Sequence, residues 1–107
     1  MKEFNNYIIL AIDNARGGTL SDLIKRKPKE PGLLSDEECS KVMKSLFNGM
    51  KHLHSYNYVH RDLKPSNIVI EKPNDYTTVK IVDYGLSVEC FDKNGGGLHD
   101  TCGTLVY

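Results

Sequence analysis

The chain has 107 residues, of which 39% are apolar and 26% are charged, with 14 basic and 14 acidic side chains. This length and composition are typical of one small globular domain with a core of its own. A formal net charge of zero provides no overall field to attract nucleic acid or an anionic membrane, so we expect neither as a partner. The longest apolar run, residues 7–12, is too short to span a bilayer, and the N-terminus lacks the apolar core and cleavage site of a signal peptide.

The cysteines predict a reducing environment. Cys39, Cys90 and Cys102 lie far apart, without a CxxC pair or an even count. This spacing suits neither a secreted disulfide framework nor a zinc site. We therefore expect free thiols and an intracellular, cytoplasmic protein.

The first third of the chain predicts a strand and a short helix. Residues 7–12, "YIILAI", have the composition of a buried strand. The glycine pair at 17–18 marks a turn, and "TLSDLIKRK" at 19–27 favours a short helix. Pro28 and Pro31 cannot continue that helix.

A second, longer helix is the clearest predicted element. Ser35 and Glu38 match a capping box, and the helix is expected to run from about residue 36 to about residue 56. Apolar side chains then recur at helical spacing, which predicts a face packed against the core. These residues are Cys39, Val42, Met43, Leu46, Phe47, Met50 and Leu53.

Two apolar runs, residues 68–71 and 79–82, predict a hairpin joined by the turn-rich "KPNDYTT". If the strands pair antiparallel, Asn67 before the first lies beside Asp83 after the second. An amide oxygen and a carboxylate at one place suit Mg²⁺. Gly85 allows the sharp turn that exposes Asp83.

The segment before this hairpin carries a carboxylate and an ammonium two residues apart. Pro65 keeps Lys64 extended, so Asp62 and Lys64 are expected to face one space while Leu63 points into the core. Beside a metal, such a pair suits phosphoryl transfer. An isolated Asp-x-Lys is commonly a surface ion pair, and an isolated Asp-x-Gly is commonly only a turn. The prediction of phosphoryl transfer therefore depends on the order and spacing of the two motifs together, and not on either motif alone.

These motifs resemble the eukaryotic protein kinase family. "HRDLKPSN" resembles its catalytic loop and "DYG" resembles its D-F-G motif, with Tyr84 replacing phenylalanine. "CGTLVY" is similar to the end of the activation segment, and "YIILAIDNARGGTLSDLI" to the fifth strand, hinge and following helix. "KIVDYGLS" and "CGTLVY" look most like the calcium- and calmodulin-regulated members.

The resemblance implies an α+β, partial protein-kinase-like fold: a mostly helical large lobe with a hinge strand and a catalytic hairpin. It divides the chain into a hinge strand and hinge (1–18), two helices (19–57), a catalytic loop and hairpin (58–82), and a metal-binding turn with activation segment (83–107).

The resemblance also implies serine/threonine kinase activity with ATP, Mg²⁺ and a protein substrate. Asp62 is expected to orient the substrate hydroxyl and accept its proton. Lys64 is expected to contact the transferred phosphate, with Thr104 supporting both residues. Asn67 and Asp83 are expected to hold Mg²⁺ with ATP.

The remaining implied roles concern adenine and activation. Adenine is expected to contact four residues, with Ile12 as gatekeeper, Asp13 and Ala15 offering hinge backbone groups, and Val69 on the floor. His60 and Tyr84 are expected to stack in an internal spine. Arg61 is expected to pair with a negative charge on the activation segment, and Asp100 offers a permanent acid for it. Thr101 is a possible phosphosite one position away.

Several family parts are absent from residues 1–107. No glycine-rich loop, strand lysine or A-P-E motif occurs, so we expect the 107-residue chain to be inactive alone. We expect a piece of a longer kinase, in which residues 7–12 lack the neighbouring strands of their sheet and form an exposed apolar edge. We also expect the long helix to expose surface that the absent parts would cover. A short binding module without catalysis and a decayed pseudokinase product are the alternatives.

Overall fold

The computed structural model describes residues 2–4, 7–26, 34–90 and 103–104. Within these ranges two α-helices and three two-stranded antiparallel sheets form an α+β arrangement. In the described ranges, neither helix combines the length and the apolarity that crossing a membrane requires. In chain order the elements are β1 (Lys2–Phe4), β2 (Tyr7–Ile9), α1 (Leu20–Arg26), α2 (Asp36–Ser55), β3 (Tyr58–Val59), a short 3₁₀ helix (Pro65–Asn67), β4 (Ile68–Ile70), β5 (Val79–Ile81) and β6 (Val88–Glu89).

The first apolar run forms a strand, but it is not buried. β2 pairs antiparallel with β1, so the run has a neighbouring strand within the chain. Tyr7 is nevertheless 75% exposed, and Ile8 and Leu10 are also mostly exposed. The exposure that we expect for this run without the adjoining kinase parts is therefore confirmed, whereas the expectation that it lacks every neighbouring strand is wrong. Apolar composition favours a strand, but burial also requires a second layer, and none covers these side chains in the described ranges.

α1 begins with reciprocal hydrogen bonds between Thr19 and Asp22. The Asp22 amide donates to Thr19 Oγ1 at 3.0 Å, and the Thr19 amide donates to Asp22 Oδ2 at 3.2 Å. These bonds satisfy amide groups that have no partner within the first turn. The helix lies within the predicted range, and the predicted terminator at 27–32 falls outside the described residues.

α2 agrees closely with its prediction at both ends. Ser35 Oγ accepts from the Glu38 amide at 3.1 Å, and Glu38 Oε2 accepts from the Ser35 amide at 2.8 Å, which completes the capping box. At the other end Asn57 adopts φ +61°, a conformation that asparagine tolerates, and its amide donates to the His54 carbonyl at 3.0 Å. Local chemistry therefore sets both ends of this helix.

The apolar face of α2 is only partly covered. Val42 is buried, whereas Phe47 is 57% exposed and Met43 and Cys39 are exposed as well. α2 packs against β5 and β3, which together cover one side of the helix. The predicted apolar face therefore packs against a core only in part, and α2 exposes surface in the described part of the chain, as we expect where the adjoining kinase parts are absent.

β4 and β5 form the predicted antiparallel hairpin and supply most of the core. Ile68 pairs with Ile81 and Ile70 pairs with Val79. Ile70 packs with Val42 of α2 and with Tyr76. Tyr76 comes from the loop that the sequence assigned to a linker, yet it is buried. The short sheet of β3 with β6 has no counterpart in the sequence analysis.

Candidate active site

The loop between β3 and β4 brings a carboxylate and an ammonium together. Lys64 Nζ lies 2.8 Å from Asp62 Oδ2, so the two side chains face one space as the extended spacing predicts. Leu63 between them is 41% exposed, and the expectation that it points into the core is wrong.

Both carboxylate oxygens of Asp62 are held by donors from separate parts of the chain. Thr104 Oγ1 donates to Oδ1 at 2.6 Å, while Asn67 Nδ2 and Lys64 Nζ reach Oδ2 at 3.0 and 2.8 Å. Asn67 Nδ2 also donates to the Asp62 carbonyl at 2.9 Å, and Lys64 Nζ donates to Thr104 Oγ1 at 2.5 Å. The four predicted residues therefore form one connected network.

This network keeps Asp62 ionised. The hydrogen bond from Lys64, followed by that from Thr104, lowers the pKa of the Asp62 carboxyl below its ordinary 3.8. Burial opposes this shift, and the charge of Lys64 and the bond from Asn67 add to it. At neutral pH Asp62 is therefore a carboxylate that accepts hydrogen bonds, as a group that orients a hydroxyl requires.

His60 lies directly behind this network and is 1% exposed. Its Nε2 is 2.9 Å from the Val82 carbonyl oxygen, and its Nδ1 is 3.3 Å from the Asp62 amide nitrogen. Its ring lies 5.1 Å from that of Tyr84 with the planes inclined by 61°. The two rings meet edge to face rather than stacked, the arrangement that aromatic quadrupoles favour.

The end of the hairpin brings the two predicted metal ligands into neighbouring backbone positions. The Val82 amide donates to the Asn67 carbonyl at 2.9 Å, which places Asp83 one residue beyond that pairing. Asp83 is exposed and adopts φ +63°. In the described ranges no group of three or more His, Cys, Asp or Glu side chains could hold a metal.

A cavity of about 360 Å³ opens between the segment after β2 and the β4–β5 hairpin. The four predicted adenine contacts, Ile12, Asp13, Ala15 and Val69, all line it. The other predicted ligands, Lys64, Asn67 and Asp83, lie outside its lining. Sequence reasoning missed the rest of the wall, namely Asn14, Gly18, Thr19, Asp22, Glu71, Lys80 and Val82.

Two of the missed residues, Thr19 and Lys80, reach the cavity through backbone pairing with Val69. Thr19 bridges to Val69, and Val69 pairs with Lys80, so side chains from three segments share one face. The hairpin register could have identified Lys80, because directly paired residues share a face. No local signal pointed to Thr19 or Asp22.

Hydrogen bonds fix the charges of the cavity wall. Lys80 Nζ bonds Glu71 Oε1 at 2.8 Å, which raises the pKa of Lys80 and lowers the pKa of Glu71. Hydrogen bonds from the side chain and amide of Thr19 lower the pKa of the Asp22 carboxyl. One face of the cavity therefore carries ionised groups beside the apolar surface of Val69 and Val82.

Within the described residues, Arg61 bonds a backbone carbonyl. Its Nε donates to the Leu86 carbonyl at 2.6 Å, and its backbone adopts φ +66°. The ion pairs of the described residues do not include Arg61. Asp100 and Thr101 lie outside the described residues, so the expected pairing stays a prediction.

Comparison with known proteins supports the resemblance. The chain is 34% identical over 105 residues to "Calcium-dependent protein kinase 5" of Plasmodium berghei (strain Anka), covering 98% of this chain and 18% of that protein. It is 35% identical over 101 residues to "Calcium-dependent protein kinase 4" of Arabidopsis thaliana, covering 94% and 19%. It is also 35% identical over 105 residues to the human "Phosphorylase b kinase gamma catalytic chain, liver/testis isoform", covering 98% and 24%.

The chain thus spans about a fifth to a quarter of the length of these relatives. Two of the three are named as calcium-dependent kinases, in keeping with the subgroup that "KIVDYGLS" and "CGTLVY" suggested. The family model described as "Protein kinase domain" matches residues 1–107. Motif order, network geometry and this full-length match together show that the chain belongs to the protein kinase family.

Proposed function

We propose that the native polypeptide containing residues 1–107 is a serine/threonine protein kinase that transfers a phosphoryl group from ATP to a protein hydroxyl. The observation that carries this proposal is the network around Asp62, in which Thr104, Lys64 and Asn67 hold both carboxylate oxygens. A carboxylate fixed in this way can orient a hydroxyl and accept its proton. Phosphoryl transfer needs positioning more than covalent chemistry from the protein.

Lys64 supplies positive charge beside the carboxylate. It bonds both Asp62 and Thr104, so its ammonium stays within reach of the hydroxyl that Asp62 orients. There it can neutralise charge on the transferred phosphoryl oxygens. The preference for serine and threonine rests on the resemblance of a lysine at this position to serine/threonine kinases.

Asn67 and Asp83 are the proposed Mg²⁺ ligands, and the structure fits this role in two respects. Asn67 directs its amide nitrogen to Asp62, which turns its oxygen away from that residue, and Asp83 is an exposed carboxylate. Mg²⁺ is commonly bound by one or two protein oxygens together with substrate phosphates and water. When bound, the metal supplies positive charge to those phosphates.

The cavity beside the hinge is the proposed adenine site. Its volume of about 360 Å³ lies within the usual range of about 300–1,000 Å³ for small-molecule pockets. Ile12 and Val69 line the cavity with apolar side chains, and Asp13 and Ala15 also line it. The backbone groups of Asp13 and Ala15 are the proposed partners of the purine edge. We further propose an intracellular, cytoplasmic location, supported by the free thiols of Cys39 and Cys90.

The direct test is the Asp62→Asn substitution, made in the whole native polypeptide that contains residues 1–107. Transfer of labelled phosphate from ATP to a mixed serine/threonine peptide library should give a kcat lower by about a hundredfold or more, with KM for ATP little changed. Glu89→Gln changes an exposed carboxylate of β6 and is the matched control. A parent protein that transfers no phosphate, or an Asp62→Asn variant with unchanged kcat, contradicts the proposal.

A binding module without catalysis is the second candidate. The exposed apolar side chains of Tyr7, Ile8, Ile9 and Leu10 favour it, because a contiguous apolar patch often marks a contact surface. This candidate predicts that the native polypeptide binds no ATP in calorimetry with Mg²⁺. Measured ATP binding that Asp83→Asn weakens favours the kinase.

A further inference from the structure

One ion pair forms part of the wall of the cavity beside the hinge. Lys80 Nζ lies 2.8 Å from Glu71 Oε1, and both residues line the cavity. Their side chains are 49% and 39% exposed, so the pair is partly in contact with solvent. The neighbouring wall residues Val69 and Val82 are apolar, and backbone pairing within the hairpin holds them in place.

The ion pair lies where the hairpin meets the segment after β2. Lys80 pairs directly with Val69 in the hairpin register, and the amide of Arg16 donates to the carbonyl of Glu71 at 3.0 Å. The hydrogen bond to Glu71 raises the pKa of Lys80, and the charge of Asp13 adds to that shift. Asp13 also lines the cavity, so the ammonium of Lys80 stands between the proposed floor and the proposed hinge contact.

This position determines which part of a bound purine meets the ion pair. The hydrogen-bonding edge of adenine carries the N6 donor and the N1 acceptor on its six-membered ring. When that edge bonds the backbone of Asp13 and Ala15, the N6 and C2 positions are directed toward the segment after β2 and the corner formed by Lys80 and Glu71. The C8 position, on the five-membered ring, is directed away from that corner.

The ion pair is the weakest part of this wall. Two long, half-exposed side chains attract each other only modestly, because water and salt compete with the attraction. Opening such a pair changes an equilibrium constant by only about 1.4-fold to fivefold. Displacing Val69 or Val82 would instead disturb the backbone pairing of the hairpin, which costs more.

We propose that the Lys80–Glu71 ion pair is a displaceable wall of the purine cavity and selects against bases that are enlarged at N6 or C2. The two side chains hold each other over the corner that such a substituent needs, so a larger base binds only when the pair opens. Lys80 is therefore a specificity-determining residue. The inference rests on the proposed adenine site for the identity of the ligand.

The test compares the affinities of four uncharged ligands for the native polypeptide by calorimetry. The ligands are adenosine and its benzylamino derivatives at C6 (N6-benzyladenosine), C2 and C8, of which the last is the ligand control. Lys80→Ala removes both the charge and most of the side chain, Lys80→Met keeps the length without the charge, and Glu71→Gln keeps the shape of the partner. Lys72→Ala is the matched control, because Lys72 is an exposed lysine beside Glu71 that does not line the cavity.

The expected result is a gain for ligands enlarged on the six-membered ring. Lys80→Ala should improve the affinity for the C6 or the C2 derivative, relative to adenosine, by about threefold to fivefold. Lys80→Met and Glu71→Gln should give about a twofold gain, because the side chain remains but is no longer held. Raising the salt from about 0.1 M to about 1 M should produce a similar gain in the parent and none in Lys80→Met. The C8 derivative and Lys72→Ala should show unchanged ratios.

Three outcomes overturn the proposal. The affinity ratios can stay the same in all three variants, or the C8 derivative can gain equally, which indicates general loosening of the cavity. A gain confined to Lys80→Ala shows that side-chain volume alone limits the base and excludes the role of the ion pair. A parent that binds adenosine but transfers no phosphate contradicts the proposed kinase function while the ratios still decide the role of the pair, and a parent that binds none of the four ligands overturns both.

Discussion

Gly17→Ala is expected to damage the contact between the hinge segment, residues 10–18, and strand β4. The amide of Gly17 donates to the Ile70 carbonyl at 2.8 Å, and the Arg16 amide donates to the Glu71 carbonyl at 3.0 Å. A Cβ atom on Gly17 would lie 2.5 Å from the Ile70 carbonyl oxygen and 2.7 Å from Ile70 Cβ. The nearest obstacle is a backbone oxygen and the next is at the base of a β-branched side chain, so neither can move aside cheaply.

The expected loss of stability follows from these distances. The Cβ would be about 0.9 Å short of the 3.4 Å at which ordinary van der Waals contact begins. A displacement of that size stretches the bond from Gly17 to Ile70 beyond about 3.5 Å, where it is largely lost. Ile70 also packs in the core with Val42, so the strain reaches buried side chains. Overpacking and one lost hydrogen bond together cost about 2–4 kcal/mol of the free energy of unfolding.

The assay is urea unfolding of the native polypeptide, followed by far-ultraviolet circular dichroism. Gly49→Ala is the control, because a Cβ there meets only the end of the Ile81 side chain, at 3.3 Å. Alanine also favours the interior of α2 by up to about 1 kcal/mol. We expect Gly49→Ala to be neutral or stabilising. If Gly17→Ala lowers the free energy of unfolding by less than about 0.5 kcal/mol, the close approach does not constrain this position, and the reasoning is refuted.

Three further predictions concern the helix cap, the carboxylate network and activation. Ser35→Ala removes the cap of α2 and should lower the free energy of unfolding by about 1 kcal/mol; an unchanged urea midpoint would contradict this. Because Lys64 and its neighbours lower the pKa of Asp62, the stability that this carboxylate contributes should be complete above about pH 4 and decline as the pH falls through its lower folded-state pKa. Asp62→Asn should therefore reduce the acid dependence of the urea midpoint, and an unaltered acid dependence would argue against the network. Finally, if Asp100 provides the permanent charge for Arg61, Asp100→Ala should sharply lower kcat in a peptide phosphorylation assay, whereas unchanged activity would exclude that role.

The two ends of α2 show how far local sequence reasoning reaches. The capping box was predicted from residues within one turn of the helix, and the structure has it as two hydrogen bonds. The left-handed Asn57 at the other end was not predicted, although asparagine tolerates that conformation. The hairpin register was also predictable, because two short apolar runs and the turn-rich loop between them restrict the pairing. These features need little from the rest of the chain.

Burial was the property that the sequence predicted least well. Tyr7, Phe47 and Leu63 have apolar side chains in apolar patterns, yet each is substantially exposed. Tyr76 lies in a turn-rich loop and is buried. Apolar character indicates which side chains benefit from burial, but the elements that pack in three dimensions determine which of them are covered.

By itself, the sequence determined the helix caps, the hairpin and the chemical character of the loop that carries Asp62, since each depends on residues close together along the chain. The tertiary structure decided how the distant parts of the site meet. Thr104 reaches Asp62 across 42 residues, and His60 reaches Val82 across 22. Lys80 and Asp22 join the cavity wall from separate elements. Such contacts depend on how the segments pack, because hydrogen bonds form only when the fold brings donor and acceptor to about 3 Å, a distance that local pattern does not encode.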